Sequence, residues 1–403
     1  MAKISFYAKE RGNGRVTGLI LVPISFICIC LTTPDFVPAA LVAICQNIFL
    51  VMHLLAEKLR LRRTFVHLLS FLLFYWSIEL ALLVFLRFFL MEQLLRRFRA
   101  QFSFGESSLV SQLSSVAIWT SISGSLESKE GQSFLVQSFG MLASSFLKSQ
   151  IGSSLIFVFT QCTGFVLNLQ SFQSEFDYKT SSVVLWSVAC IPAGTMIAYC
   201  IDSNKENQKS RNNLSRKTFH FLVCIVFLPF IAVNERLFKF CGVHALFVFL
   251  FVEINRHDWN IETLNSFLES FRSNQDNGKY IFSHIFLLLG CLIPVFFPFQ
   301  TFLGKSCGIV MLGLLDSTAS IVGLRFHDYG KKTMVGSIAA ISVTSLAYVV
   351  YMLFIDSRID PFIFLVVIAC GFLEKISTQN DNLILPLFAA LCFSLYEYTL
   401  AIK

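Results

Sequence analysis

The chain has 403 residues, of which 55% are hydrophobic and 14% charged, with a mean hydropathy of +0.68. Soluble domains carry about 25% charged residues, so this composition excludes a soluble globular protein and implies an all-α, polytopic transmembrane bundle. The net charge of +7 is spread over short loops, so it bears on membrane orientation and gives no sign of a nucleic-acid partner.

The first apolar run, Val16–Leu31, follows a basic stretch from Lys3 to Arg15. No small-x-small cleavage site follows it and further apolar runs come after, so it reads as an uncleaved first span. Phe36–Ala56 and Thr64–Met91 are next, the latter containing Glu79 and Arg87. Basic clusters at Lys58–Arg63 and Arg96–Arg99 flank Thr64–Met91 and conflict with a single crossing, which leaves two short passes or a hairpin open. Phe98–Gln150 is rich in Ser and Gly. Within it, Leu109–Ile122 and Phe134–Leu147 read as short spans, interfacial helices or one luminal loop. Ile151–Leu169 and Ser182–Ile201 complete the first half. Phe, at 45 residues, supplies lipid-facing and interhelical packing area. The 12 cysteines include no CxxC pair and read as small apolar fillers. Roughly 11–14 membrane helices are expected. Residues 1–204 form an N-terminal transmembrane region, and 205–403 a transmembrane region that carries the chemistry.

In that second region a basic loop, Lys205–Lys217, leads into the runs Phe219–Val233 and Cys241–Ile254. The polar segment Asn255–Lys279 follows, then Ile281–Pro298 and Phe302–Leu315, then the polar stretch Asp316–Lys332. Val335–Ile355 and Pro361–Leu373 lead to Ile376–Asn382, and Leu383–Ala401 is last. Two spans separate each polar segment from the next. All four therefore fall on one membrane face, and its Lys and Arg content makes that face cytosolic.

The densest chemistry lies in Leu312–Ser337, which places Asp316, Ser317, Thr318 and Ser320 in quick succession. Gly323, Gly330, Lys331, Lys332, Thr333 and Gly336 follow. An isolated carboxylate in lipid costs roughly 2.5–3.5 kcal/mol, so a loop with a purpose is expected here. Glycines let backbone N–H groups approach phosphate oxygens, and lysines neutralise them. A carboxylate beside bound phosphates usually holds a divalent cation, Mg²⁺ or Ca²⁺. The competing reading is an ordinary polar loop between two helices.

Four other groups of residues have a chemical and a structural reading. Arg216 and His220, four apart on one helix face, can meet a phosphate or anchor the chain at the interface. Glu253 and Arg256 are spaced as an intrahelical ion pair. Asp276-Asn-Gly278 is a turn signal before Lys279 and His284, and a helical histidine is more often packed than catalytic. Asp381 or Asn382 would serve as an N-cap, but Asp381, on the face that carries Asp316, could also hold metal or orient a hydroxyl.

These motifs, in this order, resemble the CTP-using lipid kinases, and most closely the dolichol kinases. The DxxAS element appears as Asp316–Ser320, followed by Gly323 and then by Gly330-Lys-Lys-Thr333 with Gly336. An RK-x-FH element appears at Arg216–His220, a HIxLLLG-like run at His284–Gly290, and a TQxDN-like element with a following Pro at Thr378–Pro386. The resemblance covers Arg216 to Pro386. It departs from the family at Leu315, where Gly is usual, and at Val335, where an acid is usual. The loop between Gly323 and Lys331 is also shorter and lacks a Trp-Pro-Gly element.

The resemblance implies transfer of the γ-phosphoryl group of CTP to dolichol at the endoplasmic reticulum membrane, supplying the lipid carrier for protein glycosylation. It implies Asp316, Asp381 and Lys332 as catalytic residues, with Asp316 and Asp381 on the metal. Ser317, Ser320, Gly323, Gly330, Lys331, Thr333, Gly336, Arg216 and His220 would contact the nucleotide. Two other enzymatic readings stay open: a CTP-dependent kinase of another lipid alcohol, such as phytol or diacylglycerol, and a phosphatidate cytidylyltransferase. A lipid transporter is the non-enzymatic alternative, although it would need charged loops alternating in side.

Overall fold

The computed structural model describes residues 21, 24, 41–48, 50–51, 78–98, 102–125, 156–163, 177–203, 208–269, 271–273, 276, 279–326, 332–354 and 359–402. Among them every regular element is helical and no strand occurs. The chain divides into two units, Met1–Leu135 and Val136–Lys403. Phe134–Leu147 lies outside the described residues.

In the first unit α1 (Ile78–Arg97) packs against α2 (Phe104–Ser125). Where the sequence suggests short spans or a loop, α2 is one helix of 22 residues. A reciprocal cap starts it: the Glu106 amide donates to Ser103 Oγ at 3.2 Å, and the Ser103 amide to Glu106 Oε2 at 2.9 Å. Ser107, Ser108, Ser111 and Ser115 do not make it a loop, because they are buried and bonded. Arg87 Nη2 donates to Ser108 Oγ at 2.9 Å, and Gln46 Nε2 to Ser115 Oγ at 2.9 Å.

The second unit contains α3 (Tyr178–Ser203), α4 (Gln208–Val233), α5 (Glu235–Trp259), the short α6 (Glu262–Glu269) and α7 (Ser283–Phe296). α8 (Phe302–Val310), a π-helical turn (Met311–Asp316) and α9 (Ser317–Phe326) follow as one continuous rod. α10 (Met334–Phe354), α11 (Pro361–Ile376) and α12 (Asp381–Ile402) complete it. Six helices among the described residues are long and apolar enough to cross a membrane: α3, α4, α5, the α8–α9 rod, α10 and α12. This is a multi-pass membrane protein. The rod is the most buried of the six, with α7, α12 and α10 packed around it. Phe238, Leu288, Cys291, Ile309 and Leu312 join α5, α7 and the rod in one apolar core.

Two expectations are corrected here. The sequence argues for a loop at Asp316, but this residue ends the π-helical turn inside the rod, and the helix continues to Phe326. The penalty for a carboxylate at that depth is offset by a partner from α4, so no loop is needed. Ser317 Oγ donates to the Leu312 carbonyl at 3.1 Å, bridging the widened turn. Likewise Lys205–Lys217 is not all loop, because α4 starts at Gln208 and carries Arg216 more than two turns into the helix.

Two close approaches set the rod's position. A side-chain carbon at Gly313 would strike Cys224 Sγ and the His220 carbonyl oxygen of α4. One at Gly336 would strike the Ala319 carbonyl and approach Gly323 Cα at 3.3 Å. Glycine at these points lets α4 and α10 pack tightly against the π-turn and α9. At the opposite end Glu397 of α12 accepts hydrogen bonds from the Gln300 and Thr301 amides, at 3.0 and 2.8 Å, tethering the start of the rod.

Candidate active site

A cavity of about 640 Å³ opens at one end of the second unit, within the usual range for small-molecule sites. Its walls come from the third turn of α4, the connection between α6 and α7, α9, the start of α10, and the α11–α12 connection. Span alternation puts these segments on one face, and they meet in this cavity. The N-termini of α7, α10 and α12 reach it through Ser283, Thr333 and Asp381. Helix N-termini favour anions, because their first amides have no partner within the helix.

The deepest charge is Asp316. Its Oδ2 accepts from Lys217 Nζ at 2.5 Å, and both side chains are almost fully buried. His220 Nε2 lies 3.6 Å from the same oxygen and 3.2 Å from Asn382 Oδ1. The His220 Nδ1–H donates to the Arg216 carbonyl at 3.0 Å, which fixes the ring. Asn382 Nδ2 in turn donates to the Ser283 carbonyl at 3.1 Å, linking α12 to α7. Three residues apart on α4, Lys217 and His220 therefore form one inward face aimed at the π-turn.

The second charged group centres on Lys332. Its Nζ donates to both carboxylate oxygens of Asp381 at 2.8 Å and to the Glu374 carbonyl. The Glu374 carboxylate lies 3.7 Å away and accepts from Ser337 Oγ at 3.2 Å. Burial disfavours the Lys332 ammonium, but Asp381 and Glu374 outweigh it and raise its pKa above the usual lysine value. The N-cap assignment is corrected: Asn380, not Asp381 or Asn382, caps α12, its Oδ1 accepting from the Asn382 amide at 3.0 Å. That leaves the Asp381 carboxylate directed at Lys332.

Asp316, Glu374 and Asp381 each present a carboxylate oxygen, and the three lie within 4.8 Å of one another. An all-oxygen donor set with room for phosphate oxygens suits Mg²⁺ or Ca²⁺. The residues fit a divalent cation, and Lys217 and Lys332 supply positive charge beside it. Glu374 escapes a reading of the sequence because it follows an apolar run and precedes Lys375, as at any helix end. Its one signal is an acid flanking the Gln379–Pro386 motif from the other side. Lys217 is masked in the same way by its neighbour Arg216.

Ser320, Gly323, Thr333 and Arg216 line the cavity. Thr333 Oγ1 also accepts from the Gly336 amide at 3.1 Å and so caps α10. Gly336 sits at the α9–α10 contact, and Ser317 faces the Leu312 carbonyl. Neither lines the cavity. Gly330 and Lys331 lie outside the described residues. Leu315 is fully buried and Val335 is exposed, and neither departure from the family pattern touches the cavity lining.

The side of the site formed by α5 and the start of α7 is held by one buried ion pair and one hydrogen-bonded carboxylate. The spacing-three pair is present: Arg256 Nε donates to Glu253 Oε2 at 2.9 Å, with both side chains 1% exposed. Arg256 Nη2 also donates to the Lys279 carbonyl at 3.0 Å, and Glu253 accepts from the Ile281 amide at 2.6 Å. Asp276 accepts from the Phe282 amide at 2.9 Å and from Ser273 and Ser283. His284 does not reach the cavity; it packs edge-on to Phe249 at 5.5 Å.

The chain is similar to dolichol kinases over about half of its length. It is 31% identical over 245 residues to the dolichol kinase of Schizosaccharomyces pombe, covering 54% of this chain and 48% of that protein. It is 33% identical over 208 residues to a dolichol kinase of Arabidopsis thaliana, covering 46% and 36%. To the human dolichol kinase it is 28% identical over 250 residues, covering 55% and 46%. The chain thus spans half or less of the length of these curated relatives. No family model matches it, and no solved structure does.

Proposed function

We propose that this chain, a relative of the dolichol kinases over about half of its length, is itself a CTP-dependent dolichol kinase. The observation that carries this reading is the convergence of Asp316, Glu374 and Asp381 with Lys217, Lys332 and Arg216 in one cavity at the end of a membrane bundle. Carboxylates at the centre suit a cation; ammonium groups and helix N-termini around them suit a polyphosphate. A bundle end suits a soluble nucleotide meeting a lipid whose hydroxyl sits at the interface.

In the proposed reaction the dolichol hydroxyl oxygen attacks the γ-phosphorus of CTP. The bond between that phosphorus and the β–γ bridging oxygen breaks and CDP leaves. Such transfers depend mainly on positioning and charge neutralisation. A divalent cation held by Asp316 and Asp381, with Glu374, would supply neutralisation of the phosphate oxygens. Arg216 would bind phosphate oxygens, and Lys332, held by Asp381 and Glu374, adds positive charge beside them, with Lys331 as its sequence neighbour. Asn382 ties α12 to α7 beside Asp316, and the Arg216 carbonyl fixes the His220 ring there. Asp381 would serve as second metal ligand or, as a carboxylate, as the base that takes the hydroxyl proton. By the positive-inside rule the cavity faces the cytosol, and the relatives' activity suggests the endoplasmic reticulum membrane.

Purified protein supplied with dolichol should form dolichyl phosphate from γ-labelled CTP and much less from ATP. Asp316→Asn and Lys332→Ala should each lose at least about a hundredfold in rate, the scale seen when one charge-stabilising group is removed. Label entering lipid from the α-position of CTP would instead indicate a cytidylyltransferase. Full activity in either variant would remove the assignment.

A further inference from the structure

The Lys217 ammonium occupies one oxygen of Asp316, a carboxylate that a cation at this site would also use. Its Nζ is 2.5 Å from Asp316 Oδ2, and Asp316 is one corner of the three-carboxylate set. An ammonium and a divalent cation repel at such range, so a cation on the same carboxylate would weaken the hold of Lys217 on Asp316. The two lysines of the site differ in how firmly they are tied. Lys332 is held by both oxygens of Asp381 and by the Glu374 carbonyl. Lys217, among the described residues, donates to Asp316 alone. Lysine has a flexible four-carbon stem and three rotatable donors, so it re-aims readily. Lys217 also lines the cavity beside Arg216, so an anion bound in that space would offer its ammonium a second partner.

We propose that Lys217 is an exchangeable internal counter-ion. It holds Asp316 while the cation is absent and turns to the nucleotide's phosphates when the cation binds. This rests on the phosphoryl-transfer reading above. Its consequence is ordered occupancy: the bare cation competes with Lys217 and binds weakly, whereas cation and polyphosphate together give each charge a partner.

The test uses the full chain in detergent or nanodiscs, with Mn²⁺ as probe and free Mn²⁺ read by electron paramagnetic resonance. Without nucleotide, Lys217→Met should bind Mn²⁺ at least tenfold more tightly than wild type. With saturating Mn²⁺, it should bind a non-hydrolysable CTP analogue at least tenfold more weakly, because the ammonium that turns to the phosphates is gone. Lys217→Arg should bind Mn²⁺ at least threefold more weakly than wild type, because a guanidinium fork grips a carboxylate more firmly. If Lys217→Met is not monodisperse, the Arg variant decides alone. Equal or weaker Mn²⁺ binding by a folded Met variant, unchanged analogue affinity, or equal or tighter Mn²⁺ binding by the Arg variant overturns the proposal. A parallel assay of wild type for dolichol phosphorylation reports separately on the reaction. Its failure would remove the kinase reading and leave the Mn²⁺ competition at Lys217 to stand or fall by its own measurements.

Discussion

Glu374→Gln separates a metal-binding acid from a structural one. The donor oxygens of Asp316, Glu374 and Asp381 lie within 4.8 Å of one another, and at an effective dielectric near 20 two unit charges at that range repel by roughly 3.5 kcal/mol. Glu374 carries two such repulsions, roughly 7 kcal/mol together. Against them stands its attraction to Lys332 at 3.7 Å, roughly 4.5 kcal/mol, with a further attraction to Lys217. These terms nearly cancel, and a glutamine can still accept from Ser337. The metal-free fold should therefore change in stability by no more than about 2 kcal/mol. The cation has no such compensation, because it loses an anionic donor outright. Loss even of an outer partner of a metal site costs about 10–100-fold in affinity or activity. The Mg²⁺ concentration giving half-maximal dolichol phosphorylation should rise at least about tenfold, with the thermal midpoint in detergent near wild type. A lowered midpoint with an unchanged Mg²⁺ requirement would make Glu374 a structural residue and refute the reasoning.

Arg256→Met leaves Glu253 buried without its partner, which should cost about 3–5 kcal/mol, read as a lower thermal midpoint. Adding Glu253→Gln should recover part of that loss, since the uncompensated charge is then gone. Gly336→Val drives a branched side chain into the Ala319 carbonyl and Gly323, costing about 1–3 kcal/mol or more. Its activity should fall further than its midpoint suggests, because the same contact sets where α10 begins, and Lys332 there holds Asp381. Asn213-Leu-Ser215 is a glycosylation acceptor sequence, and a cytosolic cavity predicts that it carries no glycan. A mobility shift on endoglycosidase digestion would invert the topology.

Hydropathy and span alternation are enough to place four polar segments at one end of the bundle, because a helix crossing lipid must satisfy its backbone within itself and so advances by whole spans. What hydropathy cannot express is pairing across the sequence. The cost of a lone carboxylate in lipid argues for a loop at Asp316, but Lys217, 99 residues earlier, makes it no longer lone. The π-helical turn that presents it leaves no mark in Met311–Asp316, which reads as ordinary apolar sequence. Glu374 is invisible for a related reason: its partners Ser337 and Lys332 come from a different helix end, and only their meeting distinguishes it from a solvated terminus. Some glycines are legible but for the wrong physics. The motif suggests that Gly336 bares its amide to phosphate, whereas that amide is already bonded to Thr333 and the missing side chain serves the contact between α9 and α10. The motif thus encodes two things at once. Asp316 and Lys332 line the cavity, and Gly323 and Gly336 let α9 and α10 approach closely enough for those charges to share it. A substitution at a glycine should therefore be judged by what it does to the distances among Asp316, Lys332 and Asp381, and not by loss of a phosphate contact.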